Sequence, residues 1–390
     1  MAAAAFWASL LVIAYTYVIY PVMLLFLGAV VQMARDIRFL IYREGGRRSL
    51  PVEPPVVTLV VAAFDEARWI GEKLRNALSL DYPADRIEIL VGSDGSTDAT
   101  VEIARAAGDP RVRVVAFPRR RGKSAVLNDL IPTARGEIVV LSDANTRLAP
   151  DALWMLTRHF ADPEVGAVCG ELCLQAAPES GRAEPSYWRY ETALKILENR
   201  LGAVLGANGG NYAIRRDRFV PFPAEIIVDD FVIPMLIRAA GWRVVYDPEA
   251  LATEEAAPTL EAEFRRKVRI GAGDLQCLKV TRGLLSPRYG FTALAFWSHK
   301  VLRWCVPLCL VAALGANLLL AHRPLYQALL AGQLLLYLTA LAGYVLRGQG
   351  ARRPCLTVPY YFIAMNCALL VGFLRYLAGA QSAAWERAGR

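Results

Sequence analysis

The distribution of apolar residues divides the chain into three parts. Residues 6–34, from Phe6 to Ala34, contain no charged side chain. A run of that length can cross a bilayer as a helix. No cationic segment precedes it, and it is too long for a signal-peptide core, so it predicts an anchor that stays on the chain. The end of the chain is apolar again, with three further candidate spans at 302–320, 325–346 and 356–377.

Between these ends the pattern shortens to alternating strands and helices. Segments 56–64, 87–92, 112–116 and 138–141 are short apolar runs that read as buried strands. Residues 68–79 carry Ile70, Leu74, Ala77 and Leu78 on one helical stripe, and helices are also predicted at 99–107, at 123 to about 133, and at 150–160. Two more strands follow at 165–169 and 171–175, then a helix from Pro185 to about Arg200. A turn at 206–211 precedes a strand at 212–214. Residues 226–228 lead into a helix ending at Ala240, with Gly241 as its C-cap. A late strand at 243–246 precedes a mixed apolar and basic helix over 259–283, which suits a membrane interface. Strand–helix alternation with short loops predicts an α/β fold, a parallel sheet with helices on both faces. The expected organisation is an anchor at 1–34, a basic Pro-containing linker at 35–55, an α/β domain at 56–258, interfacial amphipathic helices at 259–300, and a transmembrane region of about three spans at 301–390.

Charge adds direction to this picture. The net charge is +8, and the basic residues cluster beside the apolar spans. Arg35, Arg38, Arg43, Arg47 and Arg48 follow the first span, Lys300 and Arg303 flank the second, and Arg352 and Arg353 lie between the last two. By the positive-inside rule this predicts a multi-pass protein of the inner (plasma) membrane with a cytoplasmic central domain. Such clusters suit anionic lipids and phosphorylated substrates, and argue against nucleic acid as a partner. Few charges fall inside the spans, with Arg375 the main one, so the spans are expected to act as anchors. Seven cysteines, an odd number without nearby histidines, exclude a disulfide framework and a zinc site. They read as small buried hydrophobes in a reducing compartment.

Acidic residues gather at the expected carboxyl edge of the sheet. Asp65-Glu66, Asp94 with Asp98, and Asp143 follow strands, and Asp229-Asp230 opens a helix. Each alone reads as a helix cap or polar turn. Together at one edge they would repel each other without a cation or a donor-rich ligand between them. Asp143 and Asn145, two apart on an extended segment, present oxygens in one direction, as a hard cation requires.

With these motifs in view, residues 56–275 resemble the family 2 glycosyltransferases of the GT-A fold. They resemble most the membrane-integral branch that holds cellulose, chitin and hyaluronan synthases and bacterial exopolysaccharide glycosyltransferases. The likeness rests on Ala63-Phe64-Asp65-Glu66, Asp94, Gly122-Lys123 with Asn128, Asp143-Ala144-Asn145, Asp229-Asp230 and the membrane segments on both flanks. It implies a mixed, mostly parallel GT-A sheet and an inverting transfer from a nucleotide-sugar, of UDP type, to a lipid-linked or glycan acceptor. By the same resemblance Phe64, Glu66, Asp94, Lys123 and Asp143 would bind the nucleotide. Asp143 and Asn145 would hold Mg²⁺ or Mn²⁺, and Asp230 would be the catalytic base. Asp229, Arg266 and Arg269 would face acceptor or diphosphate. Membrane lipids and other polysaccharide-assembly proteins are the implied partners.

Three departures bear on these expectations. Ser93 replaces the first Asp of the Asp-Asp-Gly-Ser motif, which weakens the case for uridine. Asn145 removes one charge from the metal pair. Of the Gln-x-x-Arg-Trp segment only Arg269 agrees, with Arg266 and Ile270 in the other places, which argues against processive synthesis. A processive synthase and a non-catalytic membrane scaffold stay open as alternatives. A sugar-phosphate nucleotidyltransferase would need a Gly-rich loop where this chain has Phe64-Asp65-Glu66-Ala67.

Overall fold

The structure, a computed structural model, describes residues 1–42, 53–175, 183–256, 259–346 and 353–380. Most of the linker and the C-terminal tail therefore lie outside the described residues. The chain begins with α1 (Ala2–Ala14) and α2 (Tyr20–Tyr42), joined by a π-helical turn at Tyr15–Ile19. The helix thus runs on through Arg35 and Arg38, where the sequence suggests that the linker starts.

The central sheet has eight strands: β1 (Val57–Ala63), β2 (Ile87–Asp94), β3 (Val112–Phe117), β4 (Ile138–Leu141), β5 (Arg147–Leu148), β6 (Val165–Gln175), β7 (Tyr212–Arg215) and β8 (Arg243–Glu255). Their order is β3-β2-β1-β4-β7-β6-β8-β5. Strands β3, β2, β1 and β4 run parallel, β7 is antiparallel to both neighbours, and β6 and β8 are parallel. This is the mixed, mostly parallel GT-A sheet. Every residue of β1, β2 and β4 is buried, as expected of strands covered on both faces.

One expectation is corrected here. The two strands expected at 165–169 and 171–175 form one, β6, and β8 extends nine residues beyond Tyr246. The register jumps between Gly170, opposite Asp247, and Glu171, opposite Leu251. Asn211 closes that irregularity by donating to Glu171 O at 3.0 Å and Ala250 O at 2.7 Å. Gly170 and Pro248 look like strand breaks in sequence, but pairing carries the ladder past them.

The sheet is flanked by α3 (Ile70–Leu78), α4 (Thr100–Arg105), α5 (Lys123–Leu130), α6 (Ala152–Thr157), α7 (Ala183–Arg200) and α8 (Asp229–Ala239). The 22-residue α9 (Leu260–Thr281) follows. Then come α10 (Phe291–Ala295), a second π-helical turn at Phe296–Val301, α11 (Leu302–Leu319), α12 (Pro324–Val345) and α13 (Pro354–Leu377). Four helical stretches are long and apolar enough to cross a membrane: Ala2–Tyr42, Phe291–Leu319, Pro324–Val345 and Pro354–Leu377. The second begins ten residues before the expected boundary at 301. Of the seven cysteines only Cys169 and Cys277 are buried, while Cys173, Cys355 and Cys367 are exposed, so the reading of all seven as core residues does not hold.

Helix α9 packs on α13 through glycines. A Cβ on Gly372 would lie 2.8 Å from Ala272 N, and one on Gly271 would lie 3.1 Å from Leu369 Cα. Small residues let two helix backbones approach this closely. Gly332, on α12, has nothing within 4 Å of a Cβ. Alanine in place of a helical glycine normally stabilises by about 1 kcal/mol. Gly372→Ala should instead lower the apparent unfolding temperature in detergent, with overpacking costing about 1–3 kcal/mol. Gly332→Ala should leave it unchanged or raise it.

Candidate active site

The parallel strands deliver their carboxyl ends to one edge. After β1 the chain turns at Asp65, the one non-glycine with positive φ (52°) among the described residues. Its carboxylate accepts from Thr97 N at 2.7 Å, which ties the first loop to the second. The guanidinium of Arg120 lies 3.9 Å above the centre of the Phe64 ring. A nucleobase stacking on that face would displace Arg120 or share the ring with it.

Asp94, at the end of β2, is fully buried and does not line the cavity at this edge. Its two oxygens accept from Arg121 N at 2.8 Å and Gly122 N at 2.7 Å. A contact to a base would have to displace those amides. The acid therefore shapes the basic loop, which turns at Gly122 (φ 97°) and starts α5 with Lys123.

Lys123 is where the carboxylates meet. Its ammonium lies 2.8 Å from Asp143 Oδ1 and 3.3 Å from Asp229 Oδ2. Asp229 and Asp230 open α8. The turn before β7 wraps them, with Ala207 N donating to Asp230 O at 2.8 Å. A Cβ on Gly209 would sit 3.1 Å from Asp230 Oδ2 and 3.6 Å from Asp143 Oδ2, so both carboxylates face one stretch of bare backbone. Burial alone would depress the Lys123 ammonium, but Asp143, Asp229 and Asp230 outweigh it and hold the group protonated. Burial, then the neighbouring Asp229, pushes the Asp230 carboxyl up to about 6.

Lys73 is a residue that pattern reading misses. It is buried and donates to Ser142 Oγ at 2.6 Å and Thr146 O at 2.7 Å, which clamps the loop that carries Asp143 and Asn145. Burial pushes its ammonium down to about 7. The signal was a lysine next to Leu74 on an otherwise apolar helix stripe.

Phe64, Glu66, Lys123, Asp143, Asn145, Asp230, Arg266 and Arg269 all line one cavity of about 1300 Å³, and Asp229 lies behind Lys123 at its wall. The cavity does not stop at the α/β domain. It continues between α7 and α9 to Tyr17, Lys300, Arg303, Phe362 and Arg375 of the candidate spans. The expectation that the spans only anchor the domain is thus corrected: they supply walls. Sequence reading counted Arg375 but not the pairings of Arg303. That residue pairs with Glu191 of α7 and donates to Tyr187 Oη at 3.1 Å. Arg266 pairs with Glu263 at 2.7 Å.

The donor set for a cation is Asp143 and Asn145. Asn145 Nδ2 donates to Glu254 Oε1 at 2.9 Å, and its amide oxygen has no protein partner among the described residues. No group of three or more His, Cys, Asp or Glu residues gathers to hold an ion among the described residues. Two hard oxygens fit an Mg²⁺- or Mn²⁺-type ion whose remaining ligands come from substrate phosphates and water.

Comparison with known proteins agrees with this geometry. Residues 54–273 match the family model described as glycosyltransferase like family 2. An N-acetylglucosaminyltransferase of Mesorhizobium japonicum is 29% identical over 55% of this chain and 55% of its own length. A beta-monoglucosyldiacylglycerol synthase of Synechocystis is 28% identical over 57% of this chain and 48% of its own. A poly-beta-1,6-N-acetyl-D-glucosamine synthase of Staphylococcus aureus is 26% identical, covering 57% and 55%. The matched region spans about half the length of these relatives. Among solved structures, a mannosyltransferase of Pyrobaculum calidifontis in complex with GDP-Man and Mn²⁺ superposes with a TM-score of 0.65 at 25% identity, over 93% of this chain and 99% of that one. The family match covers more than half of the sequence, on the segment that holds the acidic edge, and the chain belongs to glycosyltransferase family 2.

Proposed function

We propose that this protein is a membrane-embedded, inverting glycosyltransferase. It moves a sugar from a nucleoside-diphosphate sugar to a hydroxyl delivered from the membrane. One observation carries the reading: the cavity at Asp143 and Asp230 is continuous with space walled by the candidate spans. The similar Pyrobaculum structure holds a nucleotide-sugar and Mn²⁺, and the relatives include a lipid glucosyltransferase and a polysaccharide synthase by name. The positive-inside pattern supports a catalytic domain on the cytoplasmic face of the plasma membrane. The amides of Arg121 and Gly122 already occupy Asp94, so uridine has no dedicated residue here.

The chemistry follows from the placement of the groups. The acceptor oxygen attacks the anomeric carbon as the bond to the diphosphate oxygen breaks, with inversion. Asp230 takes the acceptor proton as that bond forms. Its raised proton affinity suits a base that works near neutrality. Lys123 is held protonated at the diphosphate end, where it can donate to the leaving oxygens without reorganising. Asp143 and Asn145 would hold the divalent cation, whose charge would offset that of the leaving diphosphate. Arg266 and Arg269 lie on the acceptor side, where Arg266 is already paired.

Three outcomes test this reading. Asp230→Asn should abolish transfer while nucleotide binding stays within about twofold, the pattern of a lost base. Loss of nucleotide binding in a folded variant would make Asp230 a ligand instead. Because Asp230 must be ionised to accept the proton, kcat/KM should fall as pH drops below about 6, and Asp229→Asn should move that limb to lower pH. Thermal unfolding of the purified protein with UDP, GDP, CMP and dTDP species should show a shift for one base class that needs Mn²⁺ or Mg²⁺ and disappears on chelation. Ligand at about 100 times its Kd should add about 2.7 kcal/mol. No shift with any nucleotide in folded protein would favour a non-catalytic scaffold.

A further inference from the structure

Helix α9 is clamped to the two residues that precede Asp229. A Cβ on Gly273 would lie 2.6 Å from Val228 Cγ2 and 3.1 Å from Ile227 Cβ. Gln276 Oε1 accepts from Ile227 N at 3.1 Å, and Cys277 Sγ lies 3.8 Å from Val228 O. Asp274 sits between these contacts and lines the same cavity as Asp230. Lys300, in the π-helical turn before α11, lines it from the opposite wall, with its ammonium 5.7 Å from the centre of the Phe231 ring.

Other cations on this side are committed. Lys267 lies 3.8 Å from Glu263 Oε1 and 5.1 Å over the Tyr187 ring. Arg266 shares Glu263, and Arg303 is held by Glu191. Asp274 and Lys300 make no hydrogen bond or ion pair with another described residue. They leave one acid and one base in a cavity whose wall includes the aromatic side chains of Tyr187 and Trp188.

We infer that Asp274 and Lys300 form the acceptor subsite, and that the acceptor is a membrane lipid with an uncharged, hydroxyl-bearing headgroup such as a sugar or glycerol. The inference rests on the transferase reading of Asp230 and adds the acceptor's chemistry to it. A hydroxyl donates and accepts at once, so it can bridge a carboxyl and an ammonium. A phosphate headgroup would gain at Lys300 but meet Asp274 as a like charge. Burial pushes the Asp274 carboxyl up to about 7, so near neutrality it can serve as either donor or acceptor. A lipid source follows from the walls: Val358, Met365 and Leu369 of α13 carry an apolar surface from the cavity along a candidate span.

Native mass spectrometry of the full chain in detergent tests this. The probes are a monoglucosyl diacylglycerol, a phosphatidic acid with the same acyl chains, and water-soluble methyl glucoside as competitor. The glucolipid should bind about tenfold or more tightly than phosphatidic acid, and Asp274→Leu and Lys300→Met should each remove about tenfold of that preference. Nucleotide-induced thermal stabilisation, retained in both variants, shows that they are folded. Tighter binding of phosphatidic acid by the wild type would overturn the inference. So would an undiminished preference in both variants, or competition by methyl glucoside at the glucolipid's own concentration. Intact nucleotide binding without a neutral-lipid preference sinks the subsite alone. Failure of all nucleotides to stabilise folded wild type sinks the transferase reading beneath it.

Discussion

Asp143, Asp229 and Asp230 converge where little water reaches them, and such a set holds together only if a cation stands among them. Two unit charges about 4 Å apart interact by about 4 kcal/mol at the effective dielectric of a protein surface. Lys123 supplies that cation from the first turn of α5, in contact with Asp143 and Asp229. Its position depends in turn on Asp94, which collects the two amides ahead of it, and on Gly122, whose φ of 97° a side chain would resist. Lys73 does the same work from behind by fixing the loop after β4. The acidic edge is thus built from two lysines and one buried aspartate that never need to touch a substrate.

A second polar system joins this edge to the membrane helices. Glu198 of α7 accepts from Tyr20 Oη at 2.9 Å and lies 2.7 Å from His299 Nδ1, while Glu191 one face over meets His299 Nε2 at 3.3 Å and pairs with Arg303. These groups are buried or half-buried, so losing one partner would strand the others. Helix α7 is thereby locked to both α2 and the start of α11. With α9 seated on α13 through glycine contacts, both sides of the cavity are fastened to candidate spans.

The sequence was informative where structure follows local periodicity. The last three spans agree with the described helices to within two residues, and β1 to β4 with their helices lie where the apolar pattern puts them. Pattern reading failed where pairing partners are distant. The two-residue β5 exists only because β8 runs past it, and β8 runs that far only because Asn211 bridges its irregularity. The His299–Glu198 contact spans 101 positions, and nothing near either residue announces it. Asp94 shows a subtler failure: the motif located the residue, but a loop 27 positions later took its oxygens.

The two π-helical turns give a physical reason to regard the spans as more than anchors. Each inserts about one residue into its helix, which rotates the side chains beyond it by about 100°. One turn, Tyr15–Ile19, holds Tyr17, which lines the cavity, and the other, Phe296–Val301, holds Lys300 and leads into Arg303. The turns also meet, with Tyr15 Oη 2.8 Å from Ser298 Oγ. An α-helix that only anchored a domain would have no reason to accept the poorer hydrogen bonding of a π turn. Two of them facing each other at the cavity wall make sense if the rotation is what turns Lys300 and Arg303 away from lipid and toward Glu191, Asp274 and the space between them. The cost of placing charge at the end of a span is then offset by partners inside the protein.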